Sequence, residues 1–438
     1  MGIHKKTPES GFLTSLFDRL NEAKLGYAVL RGYEDLPNSS KGDIDMAVLP
    51  SDRDQIALII QKVAVQYGGK VVVDYIGSGR FIRILGCHQS EWWGTAIDLF
   101  GHIEYRGVEY IRCQKIIERG KNHGSIRVAD DEDAMIVALV KELISNGRSR
   151  KNYLSEARGI WVKRGDSCLH LLSETLSENT LSDLVGVLST EGDNLKPLVV
   201  SLRADVMRRR NYGLKIANLW SRLKRLWHTP GISVAVMGTD GAGKTTVIEA
   251  IRPVLEKALH SPIHYEHLRP NWIPRLGKIA GRNDTGQVVD NPHGQSPSGM
   301  LGSLVRLSYY AVDYYLGYWV KIHMMLAKGP RIALFDRYYY DFILDPIRMR
   351  IALPTWLIKL VMLGAPKPSL ILCLGAEPEM IFARKPETSL QEVSRQIKDL
   401  RDMCHGNHRA VWVDTGAGIQ ASCDTALEAI QQAMFQKG

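Results

Sequence analysis

The residues with the most chemistry in them are Gly238-Thr239-Asp240-Gly241-Ala242-Gly243-Lys244-Thr245-Thr246. Glycines at this density let a backbone curl and aim successive N–H groups at one anion. Apolar Ile232 to Met237 precedes the run, and Val247-Ile248-Glu249-Ala250-Ile251 follows it. That is a strand, a glycine-rich loop and a helix, the order of a P-loop. The helix turns the positive end of its dipole to the same anion. Lys244 is placed to reach β- and γ-phosphates, and Thr245 to hold Mg²⁺. A chance glycine-rich turn is the bland alternative, and the strand and helix on either side argue against it. The expectation is a site for ATP and Mg²⁺ surrounded by Gly238, Asp240, Gly241, Ala242, Gly243, Lys244, Thr245 and Thr246.

A second group follows downstream. The apolar run Ile332 to Phe335 ends in Asp336-Arg337-Tyr338. A carboxylate at the end of a strand sits where a P-loop fold needs one, near Mg²⁺ or the attacking oxygen. Arg337 is spaced to clamp an acceptor phosphate through two N–H groups. The alternative is a buried structural Asp–Arg pair. Arg384 and Lys385 follow another strand and suit a lid over the transferring phosphoryl group, with solvated surface charge as the alternative.

With these motifs, the chain from about Ile232 onward resembles the thymidylate kinase family of nucleoside monophosphate kinases. The resemblance rests on Asp240 to Thr246, on Asp336-Arg337-Tyr338 and on Pro378-Glu379…Arg384-Lys385. It implies a parallel sheet flanked by helices, ATP and Mg²⁺ as cofactors, and phosphoryl transfer to a small acceptor. Ala242 stands where some members carry an arginine, which shifts the catalytic cation to Arg384. Members also carry an arginine on the long helix that holds the acceptor nucleotide; here the helix reads Ala311-Val312-Asp313-Tyr314-Tyr315. The donor half therefore matches the family, and the acceptor half departs from it.

A third group is Gly42-Asp43-Ile44-Asp45-Met46-Ala47-Val48. Strand alternation puts Asp43 and Asp45 on one face, where two carboxylates need a cation between them. Asp98, in Ala96-Ile97-Asp98-Leu99-Phe100, has the texture of a third ligand on a neighbouring strand. Gly32 ends an upstream strand where a triphosphate can lie against backbone. Residues 12–112 thereby resemble the polymerase-β-like nucleotidyltransferase superfamily, whose members use such carboxylates to hold divalent ions. The usual Gly-Ser or Gly-Gly of that loop is Gly32-Tyr33 here.

These residues need elements to carry them. Short apolar runs up to about Arg112 read as a mixed α/β sheet domain, and helical periodicity takes over from about Asp130 to Asp205. The division expected is 1–128, a nucleotidyltransferase-like domain; 129–205, a helical subdomain; 206–230, a basic linker helix; and 231–438, the kinase-like P-loop domain. The fold class is α/β. The 438 residues suit two or three domains, and 45% hydrophobic with 24% charged is ordinary for globular cores. A net charge of +9 favours anionic partners. Six scattered cysteines, without a CxxC or Cys/His cluster, read as free thiols in a reducing cytoplasm. The N-terminus lacks the apolar core of a signal peptide, and no stretch reads as membrane-spanning. The amphipathic 208–227 stretch packs on a neighbouring domain or lies on an anionic membrane surface. No interleaved basic and aromatic motif points to nucleic acid, and a homodimer is left open. The leading expectation is a Mg²⁺-dependent phosphotransferase acting on a nucleotide, sugar or glycan end, with an N-terminal nucleotidyltransferase beside it. Its rivals are a nucleotide-controlled regulatory protein and a nucleic-acid end-processing enzyme.

Overall fold

The computed structural model describes residues 7–190, 194–208, 223, 226–274, 299–346 and 348–436. The chain divides into two compact units, Met1–Lys224 with Lys257–His260, and Arg225–Glu256 with Ser261–Gly438. Most of the amphipathic 208–227 stretch, and residues 275–298, lie outside the described residues.

The first unit runs α1 (Pro8–Glu22), β1 (Tyr27–Val29), β2 (Ile44–Val48), α2 (Arg53–Gln66), β3 (Gly69–Ile76), β4 (Arg80–His88), β5 (Glu91–Phe100), β6 (His102–Tyr105), β7 (Val108–Arg112), α3 (Cys113–Arg119), β8 (Lys121–His123) and β9 (Ile126–Val128). Helices α4 (Asp131–Asn146), α5 (Lys151–Arg164), α6 (Glu178–Ser189) and α7 (Lys196–Arg208) complete it. Seven strands form one mixed sheet in the order β3-β4-β5-β2-β1-β9-β8. Strand alternation sorts its side chains between two cores. Tyr27, Val29, Met46, Val48, Ile97 and Leu99 join Phe12, Leu16 and Ile60 of α1 and α2. Ala28, Ala47 and Phe100 face the other way, into a core with Ile136, Leu139 and Leu143 of α4 and with Leu184 and Leu202 of α6 and α7. The helices after residue 130 thus share a core with one face of the sheet.

The second unit is a five-stranded parallel sheet, β11-β12-β10-β13-β14, built from β10 (Ile232–Met237), β11 (His264–His267), β12 (Ile332–Asp336), β13 (Leu370–Gly375) and β14 (Ala410–Asp414). Its central strand β10 is buried throughout and apolar except at Ser233, as suits a strand covered on both faces. Helices α8 (Lys244–Leu259), α9 (Met300–Val312), α10 (Thr355–Val361), α11 (Pro378–Arg384), α12 (Leu390–Gly406) and α13 (Ile419–Phe435) connect the strands. The long helix that carries Ala311 to Tyr315 is not uniform. Helix α9 passes directly into a π-helical stretch, Asp313–His323. The burial pattern gives the reason. Asp313, Tyr314, Gly317, Tyr318 and Ile322 all face inward. An ordinary α-helix turns positions 313 and 322 to opposite sides, whereas the wider i→i+5 winding keeps both inward. Gly317 is needed there, because a Cβ would stand 2.7 Å from Cβ of Trp272 and 2.8 Å from Oδ1 of Asp313.

Among the described residues no helix is long and apolar enough to cross a membrane. All six cysteines are free.

Candidate functional site

Parallel strands leave a crevice at their carboxyl ends. Here it is a cleft of about 620 Å³ in the second unit, at the loop that leaves β10. Gly241 and Gly243 take φ of +82°, the left-handed conformation that glycine adopts freely. Asp240, Gly241, Gly243, Lys244, Thr245 and Thr246 line the cleft. Gly238 and Ala242, expected at the nucleotide, are absent from the lining. A Cβ on Gly238 would stand 2.7 Å from the Leu374 carbonyl oxygen, and Ala242 is wholly buried. Both shape the loop from behind.

Lys244 is buried, and its Nζ donates to the carbonyls of Gly238 and Thr239, each at 2.9 Å. Burial, with the charge of Arg337, pushes its pKa down to about 7. Asp336 is brought to the same cleft by the register of β12 beside β10, in which Val236 pairs with Asp336. Its Oδ2 accepts from the Tyr265 hydroxyl at 2.9 Å and lies 3.7 Å from Nδ1 of His267. Burial alone would raise this carboxyl; the nearby His267, Lys244 and the Tyr265 hydroxyl hold it down at about 2. Its Oδ1 is buried with no hydrogen-bond partner among the described residues. Such an orphaned oxygen, with the exposed Thr245 beside the loop, fits a hard divalent cation such as Mg²⁺.

Arg337 is placed differently from a free phosphate clamp. It is 4% exposed and sits at φ +75°. Nη2 donates to Oδ1 of Asp240 at 2.6 Å, and Nη1 to Oδ2 of Asp341 at 2.7 Å. Arg348 pairs with the other oxygen of Asp240. Burial would raise Asp240, but Arg337, Lys244, Arg348 and Lys385 bring it down to about 2. Arg337 is thus held by Asp240 and Asp341, and it also lines the cleft. Asp341 was within reach of sequence reasoning, since it lies four residues after Arg337 on a turn of helix. Asp240 lies 97 residues away, and no spacing rule links the two.

Arg384, at the end of α11, donates to the Thr415 carbonyl at 3.1 Å and lines the cleft with Lys385, Thr415 and Ser422. His267, Arg348 and Thr415 are lining residues that sequence reasoning did not single out. Asp313, on the long helix, is fully buried and accepts from Arg269 at 2.7 Å and from the backbone N–H groups of Asn271, Trp272 and Ile273. It ties down the loop after β11.

In the first unit, Asp43, Asp45 and Asp98 each bring a ligand atom within 4.8 Å of the others. The parallel register of β2 and β5 sets Asp45 directly opposite Asp98. Arg31 binds Asp45 through Nε at 2.9 Å, and Arg83 binds Asp98 through Nη1 at 2.6 Å. Burial raises the Asp98 carboxyl against the pull of Arg83, and Asp45 and Asp43 add to the rise. This geometry fits a divalent cation. Gly32 has φ +66° and open space where a Cβ would point.

No protein-family model matches the chain. No curated protein matches it. Among solved structures, a thymidylate kinase from Ehrlichia chaffeensis is 16% identical over 46% of this chain and 98% of that one, with a TM-score of 0.31. A thymidylate kinase from Candida albicans is similar over 46% of this chain and 92% of its own, at 21% identity and a TM-score of 0.34.

Proposed function

We propose that the second unit is an ATP- and Mg²⁺-dependent phosphotransferase of the nucleoside monophosphate kinase type. One observation carries the reading: Lys244, Asp336 and Arg384, from three separate segments, line a single cleft at the loop after β10. The loop N–H groups and the start of α8 hold the triphosphate. Lys244 exchanges its two carbonyl partners for phosphate oxygens. Thr245 and Asp336 would hold Mg²⁺, and the ion would supply charge neutralisation at the phosphates. Arg384 approaches from α11 and stabilises the transferring group. Arg337 acts at one remove, by fixing Asp240 and the loop it belongs to. The acceptor is a nucleotide, sugar or glycan end. The test is radiolabelled γ-phosphate transfer with wild type and Lys244→Ala. Loss of about a hundredfold or more, with an unchanged circular dichroism spectrum, is expected. Undiminished transfer by the variant refutes the reading.

For the first unit, the carboxylate cluster supports a metal-dependent nucleotidyltransferase centre at Asp43, Asp45 and Asp98. Asp43→Asn in the full chain is expected to lower Mn²⁺ affinity. Equal Mn²⁺ binding by variant and wild type refutes the assignment.

A further inference from the structure

A second cavity, of about 470 Å³, lies in the first unit where the turn between α4 and α5 meets the start of α7. Its size is in the usual range for a small-molecule ligand. Gly147 ends α4 at φ +71° and turns the chain, and Arg148 and Arg150 follow it onto the lining. On α5, Lys151, Leu154 and Arg158 fall at the spacing of one helix face. Lys196 joins them from α7, and Leu154 with Leu195 gives the cavity an apolar wall.

Cations on a helix surface are ordinarily solvated and need no ligand. Here Arg148, Arg150, Lys151, Arg158 and Lys196 line one cavity, and among the described residues no carboxylate lines it with them. Two of the five are partly committed. Nε of Arg150 lies 3.4 Å from Oε1 of Glu142, and Nε of Arg158 donates to the Val187 carbonyl at 3.2 Å. Arg148, Lys151 and Lys196 meet no carboxylate among the described residues. Like charges gathered this way repel, and an anion seated among them relieves the repulsion. The first N–H groups of α5 have no side-chain cap and add donors where Lys151 lines the cavity. The cavity is also connected to the carboxylate cluster of the same unit. The Arg150 guanidinium lies 5.5 Å from the ring centre of Tyr153. The Arg31 guanidinium lies 5.8 Å from that ring, donates to its hydroxyl at 2.7 Å and binds Asp45. One tyrosine thus touches both a cation of the cavity and the arginine at Asp45.

We infer that this cavity binds a phosphate group, carried by the small molecule on which the Asp43, Asp45 and Asp98 centre acts. The link to that centre rests on the nucleotidyltransferase reading, whereas the phosphate site stands on the cavity and its cations. The guanidinium groups of Arg148 and Arg150 match phosphate oxygens in pairs, and Lys151 and Lys196 add point charges. The apolar wall takes the remainder of the molecule. Two sources share this chemistry: a nucleoside triphosphate, and a phosphorylated sugar or polyol.

Calorimetry with inorganic pyrophosphate on the full-length protein tests the site. Every protein compared carries Lys244→Ala, so that any phosphate held at the loop after β10 is common to all. Adding Arg148→Ala with Lys151→Ala is expected to weaken pyrophosphate binding about tenfold or more, with Mn²⁺ affinity unchanged as a check on folding. Equal pyrophosphate affinity in this variant and its parent overturns the inference, and so does a parent that does not bind. Lys196→Glu, at an exposed position on α7, gives an independent check that does not depend on the turn before α5. It is expected to weaken binding severalfold, and a folded variant with the parent's affinity counts against the site. The source is read by repeating the titrations with nucleoside triphosphates and with phosphorylated sugars and sugar alcohols. A loss of affinity for at least one class is expected, and that class is the one seated in the cavity. A loss for pyrophosphate but for neither class leaves an ion site only and overturns the link to the carboxylate centre. If Asp43→Asn leaves Mn²⁺ binding intact, the nucleotidyltransferase reading falls, and the pyrophosphate titrations still decide the phosphate site.

Discussion

Asp336 and Arg337 are chain neighbours with opposite duties. Asp336 lines the cleft with one carboxylate oxygen unpartnered, whereas Arg337 points into a buried network. Their substitutions should therefore fail differently. Asp336→Asn is expected to lower kcat about a hundredfold or more while the Kd for ATP changes little, read from steady-state rates against calorimetry. Arg337→Ala leaves Asp240 and Asp341 facing each other without their shared cation. It is expected to cost about 3–5 kcal/mol of stability by urea denaturation. The sequence displayed both residues but not this division of labour. Position at the end of an apolar strand made Asp336 legible. The partners of Arg337 depend on how β10 and β12 pair, and that long-range geometry leaves no local mark. Arg348 was invisible for the same reason: Asp240, the carboxylate that its guanidinium meets, lies 108 residues away.

At the scale of elements, periodicity carried most of the information. Asp45 on β2 and Asp98 on β5 were legible because a strand in a covered sheet has few reasons to turn carboxylates inward, whereas Asp43 lies just before β2. Helical periodicity located α4, but not what Asp133 does inside it. Asp133 is fully buried on α4, with Nε of Arg119 and Nδ1 of His170 each 3.5 Å away and neither carboxylate oxygen hydrogen-bonded. Burial raises its pKa to about 7, Arg119 opposes the rise, and Asp130 and Glu132 reinforce it. The folded state thus keeps a proton that the unfolded chain gives up near pH 4. Stability from this group is present at low pH and is lost as pH rises toward about 7. Asp133→Asn imitates the protonated form. It is expected to flatten the stability profile between about pH 4 and 7 and to be more stable than wild type at pH 8, by on the order of 2 kcal/mol in urea.

For the whole molecule, composition said little beyond a preference for anions, and motif order said much more. Two motif groups in series along the chain fall in two compact units, with a carboxylate cluster in one and the cleft at Lys244 in the other. If each site serves its own unit, ligands should act separately. ATP with Mg²⁺ at a hundred times Kd is expected to stabilise the unit containing Lys244 by about 2.7 kcal/mol, seen as an upward shift of one calorimetric transition. Lys244→Ala should abolish that shift and leave Mn²⁺ binding at Asp43 unchanged.

The π-helical stretch bears on what chain lengths this fold accepts. Asp313 and Ile322 share the buried face although they are nine positions apart. Seven positions is the separation that an ordinary α-helix keeps on one face. Removing the exposed pair Trp319 and Val320 would produce that spacing. The shortened chain is expected to fold with the stretch rewound as α-helix, whereas loss of Val320 alone leaves eight positions, about 80° from alignment against about 20° for seven, and should destabilise the unit more. Comparing the two deletions by circular dichroism and urea denaturation decides it. Surplus residues in this helix would then be an insertion that the protein absorbed by winding wider, and length variation among related chains should come in units of two at this position.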